Sequence, residues 1–195
     1  MPGQIKIDDG AGRYTILTNG GSLGSDKTIT IPNTTGTMAL TSDISAGVLT
    51  EADEWLLTAS HTGNGAITNT YARRASNGFG YIGSAMSVSS GVFTFPTTGY
   101  YLVIVTAEAK IVSADYNLYL DVTLNNSAYS SVARMSLYDS SGTNYLNMGT
   151  NIILDVTNTS QVKCRLSTAN TSTGATIYGS TQRRTGLTFI KLGAT

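Results

Sequence analysis

Hydrophobic and polar positions alternate along most of this chain, and the alternation changes character in residues 91–109, GVFTFPTTGYYLVIVTAEA. The pattern predicts a short strand over 91–95, a turn at Pro96-Thr97-Thr98-Gly99, and a long strand from Tyr100 to about Ala109. Proline presets the first dihedral of such a turn, and glycine supplies any positive φ needed to leave it. In the long strand Tyr100, Leu102, Ile104 and Thr106 alternate with Tyr101, Val103, Val105 and Ala107. Both faces are therefore apolar or nearly so, which marks a strand buried on two sides. The expectation is a β-sandwich interior against one face and another subunit against the other.

Shorter periods of two fill the rest of the second part of the chain. Trp55, Leu57 and Ala59 alternate with Leu56 and Thr58, and Thr70-Tyr71-Ala72-Arg73 reads as a short strand. Within 116–124, Leu118, Leu120, Val122 and Leu124 are expected inward, with Asn117, Tyr119, Asp121 and Thr123 outward. Asn125-Asn126-Ser127 turns the chain into 128–135; strands follow at 150–156, where Ile152, Leu154 and Val156 alternate, and at 161–167. The last, 186–192, is again apolar on both faces. Thr50-Glu51-Ala52-Asp53 has the look of a helix cap, with acids in a first turn. Short strands, polar turns and almost no helical period predict an all-β sandwich or barrel.

Residues 1–48 differ. Gln4-Ile5-Lys6-Ile7-Asp8-Asp9-Gly10 and Tyr14-Thr15-Ile16-Leu17 are short strands, and Asn19-Gly20-Gly21 is a turn. Few of these side chains are large and apolar, so alone they cannot offset the entropy of ordering. Two modules are expected, residues 1–48 and 49–195.

Composition removes several function classes. Charged residues are 12% of the 195 and formal net charge is zero, against about 25% charged in ordinary domains. The nearest approach to a basic patch is Arg73-Arg74 and Arg183-Arg184, too little for a phosphate backbone, so no nucleic-acid partner is expected. A hydrophobic fraction of 41% argues for a folded chain. Cys164, the single cysteine, is in phase with Val162 and Leu166 and is expected in the core. The first ten residues carry no apolar run and nothing reaches membrane-span length, so the expectation is a protein made in a cytoplasm and not inserted in a membrane.

Residues 27–44, KTITIPNTTGTMALTSDI, resemble a segment of bacteriophage tail-fibre and other virion structural proteins that precedes an exposed or receptor-binding domain. That resemblance implies attachment to other virion proteins, with Ile29, Ile31, Pro32, Met38 and Leu40 as its apolar contacts. A second resemblance, over about 54–192, is to tumour-necrosis-factor-like jelly rolls, in particular the globular heads of complement component one q. It rests on Gly91-Val92-Phe93-Thr94-Phe95-Pro96 with Gly99-Tyr100-Tyr101, on Asn117-Leu118-Tyr119-Leu120, on 152–162, and on Thr185-Gly186-Leu187-Thr188-Phe189-Ile190. Thr159-Ser160 stands where that family carries Gly-Asp. Gly78-Phe79-Gly80-Tyr81-Ile82-Gly83 also resembles phage virion proteins of this kind. Such heads are compact homotrimers, which implies an interface on the central and last strands: Tyr100, Tyr101, Leu102, Val103, Ile104, Val105, Phe189 and Ile190. Which alternating set faces the neighbour is left open by the sequence.

Catalytic chemistry is sparse. Gly78-x-Gly80-x-x-Gly83 spells a dinucleotide fingerprint without any strand-to-helix context, so a glycine-rich loop is expected. His61 is the only histidine, expected in a solvated loop, and there is no Gly-x-Ser-x-Gly elbow. One histidine and one cysteine do not make a zinc site. Some related heads hold calcium near the trimer axis, so a calcium ion there stays open, with Asp115, Asp121 and Asp139 as candidate ligands that otherwise read as strand-end acids. No other cofactor is expected. The reading is a non-enzymatic, trimeric virion protein, a tail or capsid fibre whose head contacts a host-surface glycan or protein. A capsid-decoration or tail-assembly component without receptor binding is the alternative, and a polysaccharide-degrading tailspike enzyme a more distant one.

Overall fold

The computed structural model describes residues 5–8, 11, 14–17, 49–73, 80–112, 116–138, 142–169 and 175–195. The chain divides into two compact units, Met1–Ala46 and Gly47–Thr195. In the first, β1 (Ile5–Asp8) pairs antiparallel with β2 (Tyr14–Leu17), with Ile5 opposite Leu17 and Asp8 opposite Tyr14. These are the two strands expected from the alternation there. Ile29, Ile31, Pro32, Met38 and Leu40 lie outside the described residues.

The second unit is all β among its described residues. Its strands are β3 (Ala52–Leu57), β4 (Gly65–Ala66), β5 (Tyr71–Arg73), β6 (Ser87–Ser89), β7 (Val92–Thr94), β8 (Gly99–Val112) and β9 (Tyr116–Thr123). Then follow β10 (Ser130–Leu137), β11 (Thr143–Val156), β12 (Lys163–Ala169), β13 (Thr176–Ile177) and β14 (Gly186–Gly193). One sheet runs β11-β8-β14-β3-β5, with β13 also on β8; the other runs β10-β9-β12-β7-β6, with β4 on β12. All pairings are antiparallel, and the two sheets form a sandwich.

The core lies between the sheets. From β8 it takes Tyr101, Val103, Val105, Ala107, Ala109 and Ile111, from β9 Leu118 and Leu120, and from β12 Cys164 and Leu166. Cys164 is fully buried, and burial pushes its thiol well up, which keeps it protonated and inert. At one end of the core Phe93 meets Tyr71 at 5.0 Å and Trp55 at 5.9 Å edge-on, and Phe189 at 5.2 Å in a tilted pair. Aromatic pairs of this geometry add to the stabilisation from their buried area.

Gly91 and Gly99 are among the glycines that the backbone requires. Gly91, at φ 76°, closes the β6–β7 turn, and a Cβ there would sit 2.0 Å from the Ile67 carbonyl oxygen. Gly99, at φ 145°, leaves the Pro96–Thr98 turn, and a Cβ would lie 2.4 Å from the Gly193 carbonyl oxygen.

Several expectations fail, each for a local reason. Thr50-Glu51-Ala52-Asp53 caps no helix, because Ala52 already begins β3 and both acids are bonded inside the sandwich. Leu124 faces solvent at 67% exposure, since β9 ends at Thr123 and the Asn125–Asn126 turn carries the next residue out of phase. Asp121 is no strand-end acid; it lies within β9, nearly buried, accepting from Ser131 Oγ at 2.7 Å and Arg165 Nε at 3.3 Å. His61 is not a free loop side chain. Its Nδ1 is 3.0 Å from Asn69 Oδ1, its Nε2 is 3.3 Å from Thr168 Oγ1, and its backbone pairs with Ile177. Asp115 and Asp139 lie outside the described residues.

Candidate functional site

From Tyr100 to Thr106 β8 lies between β11 and β14, so each side chain leaving its outer face there is flanked by both strands. Leu102 stands opposite Ile153 and Ile190, Ile104 opposite Asn151 and Thr188, and Tyr100 opposite Asp155 and Gly193. Alternation along the three strands therefore gathers Tyr100, Leu102, Ile104, Ile153 and Ile190 into one apolar field on the outside of the sandwich. Tyr100 is 42% exposed and Ile153 66%, while Leu102, Ile104 and Ile190 are half-buried by their strand neighbours. The eight residues expected at an interface divide between the two faces of the sheet. Tyr101, Val103, Val105 and Phe189 are core residues at 0–1% exposure, and only Tyr100, Leu102, Ile104 and Ile190 point outward.

Beyond Ile104 the same face turns polar. Thr106 stands opposite Gly149, Glu108 opposite Asn147, and Lys110 opposite Tyr145 and Thr176. The segment from β13 to β14 lays two arginines over this half. Arg183 forms an ion pair with Glu54 and donates to Thr106 Oγ1 at 3.3 Å and Thr188 Oγ1 at 3.1 Å. Arg184 pairs with Glu108 at 3.4 Å and lies 4.7 Å over the Tyr178 ring. The Tyr178 ring is in turn nearly parallel to Tyr145, with centroids 6.1 Å apart. Beside the two arginines is a concavity of about 500 Å³ lined by Thr106, Asn147, Gly149, Arg183 and Arg184. None of the eight interface residues named from the sequence belongs to this half. Arg183-Arg184 was visible as a pair, but its place over β8 depends on pairings 77 residues apart.

A second buried polar cluster closes the end of the sheet where β8 begins. The Glu51 carboxylate accepts from Tyr101 Oη at 2.5 Å and Thr97 Oγ1 at 2.7 Å, with Lys191 Nζ at 3.4 Å. Lys191 Nζ also donates to Thr97 Oγ1 at 2.6 Å, and the Lys191 amide to the Glu51 carbonyl at 2.9 Å. Burial opposes ionisation of Glu51, but the Tyr101 and Thr97 hydroxyls and the Lys191 charge outweigh it and hold the carboxyl below its ordinary value. Tyr101 is pushed up to about 12 by burial and by its bond to that carboxylate.

These shifts set a pH profile. A lowered carboxyl contributes stability above its unfolded pKa that is lost as pH falls through the folded value; a raised phenol contributes below about pH 10 and loses it as pH rises towards about 12. Thermal melts across pH should show both losses. In Tyr101→Phe the acid loss is expected at higher pH and the alkaline loss to shrink. It will not vanish, because burial also raises Tyr71 and Tyr116. An unchanged acid limb would show that Tyr101 does not hold the Glu51 charge.

No family model and no curated protein matches this chain in sequence. In three dimensions it is similar to murine APRIL at pH 5.0, with a TM-score of 0.57 and 11% identity over 73% of this chain and 98% of that one. It is similar to murine APRIL at pH 8.5 with a TM-score of 0.55 and 12% identity over the same shares. Eiger TNF from S. frugiperda aligns at a TM-score of 0.53 and 12% identity, covering 74% of this chain and 93% of that one. At such identities the likeness is one of fold. The fold is a TNF-like, all-β jelly roll, as the order of sequence matches implied.

Proposed function

We propose that this protein is a non-enzymatic, homotrimeric binding protein of a bacteriophage virion. Residues 1–48 attach it to other virion proteins, and the jelly-roll head contacts the host surface. The observation that carries the trimer is the apolar field of Tyr100, Leu102, Ile104, Ile153 and Ile190, on the outside of a sandwich that already has a complete core. Large contiguous apolar faces on a surface mark sites of association. A second, unlike apolar surface lies at the sandwich edge, where Val122, Leu124, Ala128, Val132 and Leu154 line a groove of about 420 Å³. Two different apolar patches on one chain suit a head-to-tail contact that closes into a ring. Three joined heads then turn weak individual contacts into firm attachment.

The virion role is supported by the likeness of residues 27–44 to tail-fibre segments. A binding role is favoured over catalysis because the one histidine has both ring nitrogens held by Asn69 and Thr168, leaving it in no position to activate a serine. Gold-labelled antibody against the head, applied to intact particles, tests the reading. Label at the tail or on capsid fibres, together with blocking of adsorption by free protein, is the expected result. Label on the capsid without blocking would replace receptor binding by decoration, and unlabelled particles would overturn the virion role.

A further inference from the structure

The outer face of the β8 sheet changes chemistry half-way along, at Thr106. Extending a subunit contact over the second half would strip water from the Glu54–Arg183 and Glu108–Arg184 pairs, and desolvating ion pairs commonly costs more than their attraction returns. That half is better suited to a wet ligand than to an apolar neighbour. Gly149 has no side chain to fill the space in front of Thr106, so the concavity keeps a backbone floor. Its walls are Asn147, Arg183 and Arg184, and its volume of about 500 Å³ is within the ordinary range for small-ligand sites.

The charges around it do not balance. Arg183, Arg184 and Lys110 stand against Glu54 and Glu108, which leaves one net positive charge. Lys110 forms no ion pair among the described residues. Arg183 is committed to Glu54, Thr106 and Thr188, so the cations left to meet a ligand are Lys110 and Arg184, whose Nε pairs with Glu108 while the side chain stays 40% exposed. Beside them Tyr145 is 63% exposed, its ring nearly parallel to Tyr178.

We infer that this concavity binds an acidic saccharide, a sugar ring carrying a carboxylate. The exposed Tyr145 ring offers an apolar surface to the C–H face of the sugar. Asn147 and Thr106 meet its hydroxyls, and Arg184 with Lys110 meets its carboxylate through charge-assisted hydrogen bonds. The inference rests on the reading of the head as a binding module, and adds the place and the chemistry.

The test is calorimetric titration of the full chain with tetragalacturonate, with neutral maltotetraose and with sodium acetate, while light scattering on the same samples reports oligomeric state. Tetragalacturonate is expected to bind, more weakly as salt is raised, and at least about tenfold more tightly than the other two. Tyr145→Ala and Arg184→Gln, both at exposed positions, are each expected to weaken it about tenfold or more with oligomeric state and melting unchanged. Equal binding of maltotetraose, no binding of tetragalacturonate up to about 10 mM, or binding indifferent to both substitutions would overturn the inference. A trimer that ignores tetragalacturonate sinks only this site, whereas a monomer that binds it sinks only the trimer.

Discussion

Leu102→Asp is expected to release folded monomers, while Val103→Asp, one residue along the same strand, is expected to leave no folded protein. The two side chains leave β8 on opposite faces. Val103 is fully buried, between Ile152 on β11 and Phe189 on β14. A carboxylate there would lose its water and find no cation, at a cost of several kcal/mol against a total stability of about 5–15 kcal/mol. Leu102 is half-exposed in the single chain, so an aspartate can remain hydrated as long as the chain stays alone. What it loses is the proposed subunit contact, where burying a leucine would contribute about 1.5–3 kcal/mol in each of three copies and an uncompensated charge would cost more. Light scattering with circular dichroism separates the outcomes. An unmodified protein that is a stable monomer at micromolar concentration would end the trimer reading. A Leu102→Asp protein that remains trimeric would move the interface off this face.

The second large effect is expected at Asp53. Its side chain is 2% exposed and accepts from three donors: the single Arg73 Nε–H, shared between both carboxylate oxygens at 2.8 and 3.0 Å, the Trp55 indole at 3.1 Å and the Met86 amide at 2.9 Å. Arg73 also donates to the Met86 carbonyl and stacks 4.4 Å over Trp55. One carboxylate thus ties β3, β5 and the residue before β6 into a single corner. Asp53→Ala should cost about 3–5 kcal/mol, the usual loss when one partner of a buried charge pair is removed. Arg73 is 30% exposed and recovers some hydration, so most of the cost falls on the stranded Trp55 and Met86 donors. Asp53→Asn keeps an acceptor and should lose less. Denaturant titration measures both, and a change within about 0.5 kcal/mol for Asp53→Ala would show that the corner is held by its aromatic packing alone.

Strand periodicity was legible because alternation is a local property. Residues 100–107 and 186–192 read correctly as strands with two apolar faces, and 164 as a core position, from neighbours two residues away. The long β11 was legible only in its second half: the pattern marks 150–156, but Asn144, Asn147 and Gly149 hide the first half of a strand that Thr143 already begins. Among the strands of two or three residues, β5 and β7 were read from their apolar side chains, whereas β4, β6 and β13 carry too few alternations to register.

Everything that depends on which strand lies beside which was beyond the sequence. Period two says that Leu102 and Val103 face opposite ways, but the direction of the core is set by the second sheet, whose contacts come from residues far along the chain. Glu51 and Asp53 looked like first-turn helix acids because capping and burial both place carboxylates among hydrogen-bond donors. Only the tertiary structure supplies their partners, Thr97, Tyr101 and Lys191 for one and Arg73 and Met86 for the other. The polar concavity was invisible for the same reason. Arg183 and Arg184 lie 34 or more positions from Gly149 and Asn147, and closing loops of that length is an outcome of packing, which no window of neighbouring residues contains.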